Sequence, residues 1–458
     1  MDKRTVAVLG FGITGQAVLE FLLQREPNTP LVLFNDGEIG DAGKMRHFAE
    51  RGVTFLTGAG RFAELAGCGR VIMSPGFDGR QPRFAALRRN GAEVISEIEF
   101  AFRQVRARVI AVSGSNGKST TVSLIQHLLS GAGFKSRLAG NIGIPLIAEV
   151  SAIESGSLVV LELSSFQLEE IVRFRPEVAV LLNITPDHLD RYPSMAEYAA
   201  AKFNLFKNQQ PGDWMVLNAD DPLLADVGEK GRGRPLWFSS ARPLSRGAFL
   251  RGGDIVLALE GGSESLSLRR NPLRGIHNLE NIMAAALACR AVGMDVAGIE
   301  SGLAGFRGLP HRMEPAGRVG RVEFINDSKA TNVDAALKSV ASIDGELVLI
   351  LGGKDKGGDF AALREPLQQR ARRVLLLGKA APLIAAQLAA LGERLEMVRD
   401  LGEAVARGHE LLRESGGTVL LAPACASFDM FDNFEHRGDV FKQEVLRLRQ
   451  REGSHGQT

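Results

Sequence analysis

Residues 109–121 read Val109-Ile110-Ala111-Val112-Ser113-Gly114-Ser115-Asn116-Gly117-Lys118-Ser119-Thr120-Thr121, and this stretch decides the fold. The apolar run Val109 to Val112 has the composition of a buried parallel strand. A glycine-bearing turn follows, and from Ser119 to Leu129 apolar residues recur at helical spacing: Val122, Ile125, Leu128 and Leu129. Strand, tight turn and helix start together make a phosphate cradle. Backbone N–H groups point at the anion, the helix dipole favours its charge, and Lys118 adds a full positive charge. Ser119 or Thr120 then offers a hydroxyl to the cation that bridges phosphates. The full Walker spacing wants a glycine where Val112 stands, so Gly114-Ser115-Asn116-Gly117-Lys118-Ser119 is a shortened form of it. An ordinary glycine turn is the plain alternative. A Gly-Lys-Ser at a strand-to-helix junction argues instead for an ATP loop.

The chain of 458 residues has room for about three domains. Its hydrophobic content of 45% is that of a soluble globular protein, and a net charge of +2 gives no electrostatic footprint for nucleic acid. No run approaches the roughly twenty apolar residues of a membrane span. Met1-Asp2-Lys3-Arg4 leads directly into an expected strand, Thr5 to Leu9, which leaves no room for a signal peptide and predicts a cytoplasmic protein. Cys68, Cys289 and Cys425 lack metal spacing and read as reduced, buried thiols. Arginine dominates the surface, yet Lys118, Lys202, Lys329, Lys354 and Lys356 fall in glycine-, asparagine- or acid-rich stretches. There, a compact amine whose pKa moves on burial has uses that arginine lacks.

Upstream of the ATP loop, Val6 to Leu9 leads into Gly10-Phe11-Gly12-Ile13-Thr14-Gly15 and a helical run. A second strand, Leu31 to Phe34, ends in Asn35-Asp36. On spacing alone this is a dinucleotide oxidoreductase fingerprint. Physically it requires only a pyrophosphate at a helix N-terminus, and a nucleotide-sugar diphosphate satisfies it equally well. Ser74-Pro75-Gly76 closes a later strand at the ligand edge of such a sheet, or is a plain surface turn. Residues 96–108 read as a linker.

Downstream, Gly140-Asn141-Ile142-Gly143 offers an amide between flexible glycines. Leu158 to Leu161 is an apolar strand ending in Glu162, an acid placed to hold magnesium or, in the plain reading, to begin a helix capped by Ser164. After the strand Val178 to Leu182 comes Asp187-His188-Leu189-Asp190, a candidate for metal or acid–base chemistry, or a capping turn. Lys202 lies on the helix Met195 to Phe206, its surroundings undetermined. Residues 228–275 read as small strands and loops, and Asn278 and Asn281 share a face at the start of the next helix. In the last third, strands over 322–325, 347–351, 374–377 and 418–421 each end in a polar or glycine-rich loop. This is the pattern of a second doubly wound sheet with its ligand edge on one side.

Four stretches together resemble the Mur ligase family of ATP-dependent, amide-forming enzymes of peptidoglycan assembly. They are Gly114 to Thr120, Glu162-Leu163-Ser164-Ser165-Phe166-Gln167-Leu168, Asp187 to Tyr192 and His277-Asn278-x-x-Asn281. Leu309-Pro310-His311-Arg312, Asn326 to Asn332, Ala424-Cys425-Ala426-Ser427 and Asn433-Phe434-Glu435-x-Arg437-Gly438 extend the resemblance over nearly the whole chain. They are most similar to the member that joins D-glutamate to UDP-N-acetylmuramoyl-L-alanine. The resemblance implies an α/β protein of three domains. These are a Rossmann-like UDP-sugar domain over 1–96, a central P-loop ATPase-like domain over 97–309 and a Rossmann-like amino-acid domain over 310–458. By the same resemblance ATP meets Gly114 to Thr120, Asn278, Arg312 and Asp327. Two magnesium ions are held by Ser119, Glu162, His188 and a carbamylated Lys202, with Lys118 on the phosphates. Ile13, Thr14, Asp36, Gly76, Asn141 and Ser164 are implied for the UDP-sugar, and Thr331, Lys356, Ser427 and Phe434 for D-glutamate. Two departures stand out: Gly37-Glu38-Ile39 lacks the small or basic residues expected near the diphosphate, and Lys354 stands where an acid is expected. A monomer is expected, with neither nucleic acid nor membrane as partner. Folylpolyglutamate synthase, an oxidoreductase fused to an ATPase, and a non-catalytic nucleotide sensor are the alternatives.

Overall fold

The computed structural model describes the backbone of residues 2–189, 191–271, 273 and 275–455; Asp190 lies outside the described residues. Three sheets follow one another along the chain. The first is wholly parallel, with Val6–Leu9 at its centre between Leu31–Asn35 and Arg70–Met73, and Val53–Thr57 and Glu93–Ser96 outermost. The strand order reverses beside Val6–Leu9, which opens a crevice at the carboxyl edge. Gly15 is required there: a Cβ on it would fall 1.8 Å from the Gly10 carbonyl oxygen, so only glycine lets the helix Ile13–Arg25 start so close to the strand.

In the second sheet Arg108–Ser113 runs between Leu158–Glu162 and Val178–Leu181, all parallel and with apolar side chains buried on both faces. Ser136–Gly140 lies on one flank, and Trp214–Asn218, Arg234–Ser239 and Gly247–Arg251 continue on the other. Asp254–Leu259 and Gly262–Leu266 finish that flank antiparallel, so the glycine-rich stretch lengthens the central sheet. The third sheet sets Val322–Asn326, Gly417–Leu421, Leu347–Gly352, Ala371–Leu377 and Leu395–Met397 parallel, with Glu314–Val319 antiparallel at the edge. The loops after Asn326, Gly352, Leu377 and Leu421 therefore emerge on one side.

The expected linker over 96–108 is instead a buried helix, Glu97–Phe102, followed by a short turn. Its signal is local. Ser96 caps the helix, and two acids occupy the first turn, where the dipole favours them. The Glu99 carboxylate accepts the backbone N–H groups of Val172, Arg173 and Phe174 at 2.8–2.9 Å and the Arg103 Nε–H at 2.7 Å. Ile98 and Phe100 join one continuous core with Ile147, Leu168 and Phe174, which packs the first unit directly onto the second. The third unit keeps separate cores on its two faces.

Candidate active site

The phosphate loop is shaped by tight backbone approach. Gly117 has φ +86°, and a Cβ there would lie 2.3 Å from the Asn281 Oδ1. The helix Lys118–Gly131 begins directly after it. Ser115 Oγ donates to the Thr185 carbonyl at 2.9 Å and meets the Tyr198 hydroxyl at 3.1 Å; Asn116 N–H donates to Asn183 Oδ1 at 2.8 Å. Lys118 Nζ folds back onto the Gly114 and Ser115 carbonyls at 2.7 and 2.8 Å. Arg312 reaches across from the third unit and donates to Ser119 Oγ at 2.8 Å.

Lys202 is 1% exposed, and its Nζ donates to the Gly114 carbonyl at 2.9 Å while standing 4.7 Å over the Tyr198 ring. Burial, reinforced by the Lys118 charge, holds its amine well below the usual lysine pKa. Glu162 ends its strand 2% exposed; Oε1 accepts from Asn141 Nδ2 at 2.8 Å, and Oε2 is buried with no protein partner. His188 adopts φ +55° and lies edge-on to Phe166. Burial lowers its pKa against the opposing pull of Asp187. Burial pushes the Asp187 carboxyl upward, and the charges of Lys356, His188 and Lys118 outweigh it, so the group stays ionised.

Two clefts open beside these groups. One, of about 650 Å³, is walled by Asn116, Gly117 and Thr120 of the loop, by Asn278 and Asn281, and by Arg312, Asp327 and Lys329 of the third unit. Asp327 is held by the Met313 N–H at 3.2 Å and by the Ser339 hydroxyl, and burial raises its pKa. Burial also brings Lys329 down to about 8, with its Nζ 3.8 Å from the Phe434 ring centre. The other cleft, of about 1110 Å³, carries Asp187, Thr331 and Lys356 among apolar walls of Leu189, Val333 and Leu337. Lys356 Nζ donates to Asp187 Oδ1 at 3.2 Å.

Several expected contacts sit apart from these clefts. Ser164 is the N-cap of the helix Ser165–Leu168, in a capping box with Gln167, so the plain reading of that serine describes its bonding. Ser427 is buried beyond Gly417–Leu421 and lines neither cleft. Ile13, Thr14, Asp36 and Gly76 belong to the first crevice, with Ile13 77% exposed. Ser74-Pro75-Gly76 is no free surface turn: Arg191 of the second unit donates to the Pro75 and Phe77 carbonyls at 3.2 and 2.9 Å. Lys354 is exposed and pairs only its backbone, with Ala426.

Sequence reasoning missed Asn183, Tyr198, Asn332 and Asp334. The first two brace the loop from behind. Asp334 Oδ2 accepts from Asn116 Nδ2 at 2.7 Å, from Thr185 Oγ1 at 3.3 Å and from Lys338 Nζ at 3.1 Å. Asn332 Nδ2 donates to Asn116 Oδ1 and Asp187 Oδ2 at 3.3 Å each. In sequence, Asn332 closes the stretch Asn326 to Asn332, and with Asp334 it forms a polar pair at the start of the helix Val333–Ala341.

No group of three or more His, Cys, Asp or Glu side chains with metal-binding geometry occurs among the described residues. The buried, unpartnered Glu162 Oε2 is nevertheless an oxygen donor of the hard kind that magnesium prefers.

Family models match in three consecutive pieces: "Mur ligase MurD-like, N-terminal domain" over residues 4–96, "Mur ligase middle domain" over 112–289 and "Mur ligase, glutamate ligase domain" over 311–425. The first corrects the oxidoreductase expectation drawn from glycine spacing. Among curated relatives, the UDP-N-acetylmuramoylalanine–D-glutamate ligase of Geobacter metallireducens is 41% identical over 448 residues, 98% of each chain. That of Pelotomaculum thermopropionicum is 40% identical over 449 residues, again 98% of each. Among solved structures, a pseudomurein peptide ligase type C from Methanothermus fervidus aligns with TM-score 0.61 at 17% identity, covering 97% of this chain and 99% of that one. The MurF ligase of Thermotoga maritima in complex with ADP aligns with TM-score 0.59 at 16% identity, covering 97% and 95%. These two likenesses concern the fold.

Proposed function

The chain belongs to the Mur ligase family, and from that premise we propose that it joins D-glutamate to UDP-N-acetylmuramoyl-L-alanine with cleavage of ATP to ADP and phosphate. The observation that carries this reading is the 650 Å³ cleft in which the phosphate loop faces Asn278, Arg312 and Asp327. A carboxylate is a poor electrophile. Transfer of the γ-phosphoryl group to the terminal carboxylate of the UDP-sugar substrate supplies a leaving group; the D-glutamate amine then attacks the acyl phosphate, and phosphate departs from the tetrahedral adduct.

In this reading Lys118 exchanges its two carbonyl partners for the β- and γ-phosphates, and Arg312 exchanges Ser119 for phosphate oxygens. Asn278 and Asp327 hold the nucleoside end. Magnesium, when bound, neutralises the crowded phosphate and carboxylate charges, and Ser119, Glu162, His188 and Lys202 would hold two ions. The Lys202 amine, which burial makes easier to deprotonate, suits addition to carbon dioxide with loss of a proton, giving a carbamate oxygen that arginine cannot supply. Thr331 and Lys356 receive the D-glutamate carboxylates from the adjoining cleft; Ser427 and Phe434, outside the lining of that cleft, are assigned to the same amino acid. Ile13, Thr14, Asp36 and Gly76 take the UDP moiety, and Asn141 and Ser164 the sugar end. Domain limits near 96 and 309, a monomeric state and a cytoplasmic location belong to the same reading. No helix among the described residues is long and apolar enough to cross a membrane.

The test is phosphate release with UDP-N-acetylmuramoyl-L-alanine against a panel of L- and D-amino acids, with D-glutamate expected to be preferred. Turnover with another amino acid and none with D-glutamate would overturn the assignment. Lys202→Arg is expected to be inactive and not restored by bicarbonate; full activity refutes the carbamate.

A further inference from the structure

The first crevice must accept a diphosphate, yet it presents an acid. Asp36 directly follows the strand Leu31–Asn35, and the next segment, Gly37-Glu38-Ile39-Gly40-Asp41, contains no lysine or arginine. An acid about twenty residues beyond a glycine fingerprint serves to accept hydroxyl donors of a nucleoside. Left unpaired, it also repels the phosphates bound next to it. Arg83, from the helix Pro82–Arg89, answers that problem. Its Nη1 and Nη2 donate to the two Asp36 carboxylate oxygens at 2.6 and 2.8 Å, a bidentate pair.

The guanidinium is fixed from behind. It lies 4.5 Å from the Phe62 ring centre, 5.5 Å from that of Phe84 and 5.8 Å from that of Phe77. Phe77 in turn borders the fingerprint: a Cβ on Gly10 would come within 3.3 Å of its ring. Phe77 thus borders both the cation and the glycine loop. Its neighbour Arg80 is engaged elsewhere, with both Asp78 oxygens and the Arg191 carbonyl. Lys44, further along, faces Asp41.

We propose that Arg83 is a specificity-determining residue of the UDP-sugar site. It neutralises Asp36, so that one carboxylate can take nucleoside donors while a diphosphate rests beside it. The inference rests on the nucleotide-sugar reading of the first unit. It makes the cost of losing Arg83 grow with phosphate charge.

Calorimetric titration of the full chain with uridine, UMP and UDP tests it without turnover. Arg83→Ala is expected to weaken UDP by about tenfold or more, UMP by less, and uridine by under about threefold. Adding Asp36→Asn to Arg83→Ala is expected to recover most of the UDP loss, because the repulsion goes with the charge. Arg83→Met, which keeps the stem between the phenylalanines, is expected to show the same graded pattern should the alanine variant fold poorly. An equal loss for all three ligands, or no loss for UDP, overturns the proposal. Failure of the unmodified chain to bind UDP at all overturns instead the nucleotide-sugar reading beneath it.

Discussion

Between the first and second units, the helix Glu97–Phe102 drives Ile98 and Phe100 into a shared core, and Glu99 closes the backbone of residues 172–174. Between the second and third units, the contacts are of another material: Arg312 to Ser119, Asp334 to Asn116 and Thr185, Asn332 to Asp187, and Lys356 to Asp187. Apolar area removed from water is worth about 25 cal/mol per Å², and nothing outside the core replaces it. Polar partners at a cleft are replaced by water at little net cost. The first joint therefore holds the first unit firmly against the second. The second joint is polar, with the phosphate loop, Asn278 and Asp187 on one side and Arg312, Asp327 and Lys356 on the other, and such joints open more readily.

The largest expected effect that would break this comparison is at Glu99. Glu99→Ala deprives the N–H groups of residues 172–174 of their buried carboxylate and removes one of the two acids that Arg103 pairs with, and is expected to cost about 3–5 kcal/mol in denaturant unfolding of the first two units. A loss under about 1 kcal/mol would show that the joint is not fused.

Glu97 sharpens the same point through pH. Burial raises its carboxyl to about 7, with the Gln167 hydrogen bond opposing, and its Oε2 has no protein partner. Between about 4.5 and 7 the folded chain thus holds a proton that the unfolded chain has released. The contribution of this group to stability falls as pH rises through that window and is level above it. Glu97→Gln is expected to remove the fall, so that its advantage over the unaltered chain grows by on the order of 2–3 kcal/mol from pH 4.5 to 7. Parallel stability curves for the two would place the acid outside the sealed core.

The smallest effect on stability is expected at the polar joint. Asp334→Ala should change global stability by less than about 1 kcal/mol. Its mark should instead be faster hydrogen exchange at residues 114–118 and 184–188, where Asp334 holds the Asn116 and Thr185 side chains. Stability loss as large as that of Glu99→Ala would erase the distinction between the joints.

The phosphate loop was legible because its chemistry is local: glycine, lysine and hydroxyl follow one another at a strand-to-helix junction. The parallel strands were legible for the same reason, since four or five apolar residues in a row need burial on both faces. The helix at 97–102 reads as linker in sequence because Glu97-Ile98-Glu99-Phe100 is too short for a helical period, and its acids look solvated. Their partners, the amides of residues 172–174 and Gln167, lie seventy or more positions away. Ser164 shows the converse, with its capping partner three residues ahead and visible in the sequence.

By itself, then, the sequence determined the strands, the glycine turns and the identity of the chemical groups, because those follow from near neighbours, periodicity and side-chain type. The tertiary structure alone decided which groups meet: Arg312 with Ser119, Asp334 with Asn116, Arg83 with Asp36, and Lys202 beneath Gly114. Burial and pairing across long chain separations set the charge and reach of each of those groups, and neither quantity is carried by any single stretch of residues.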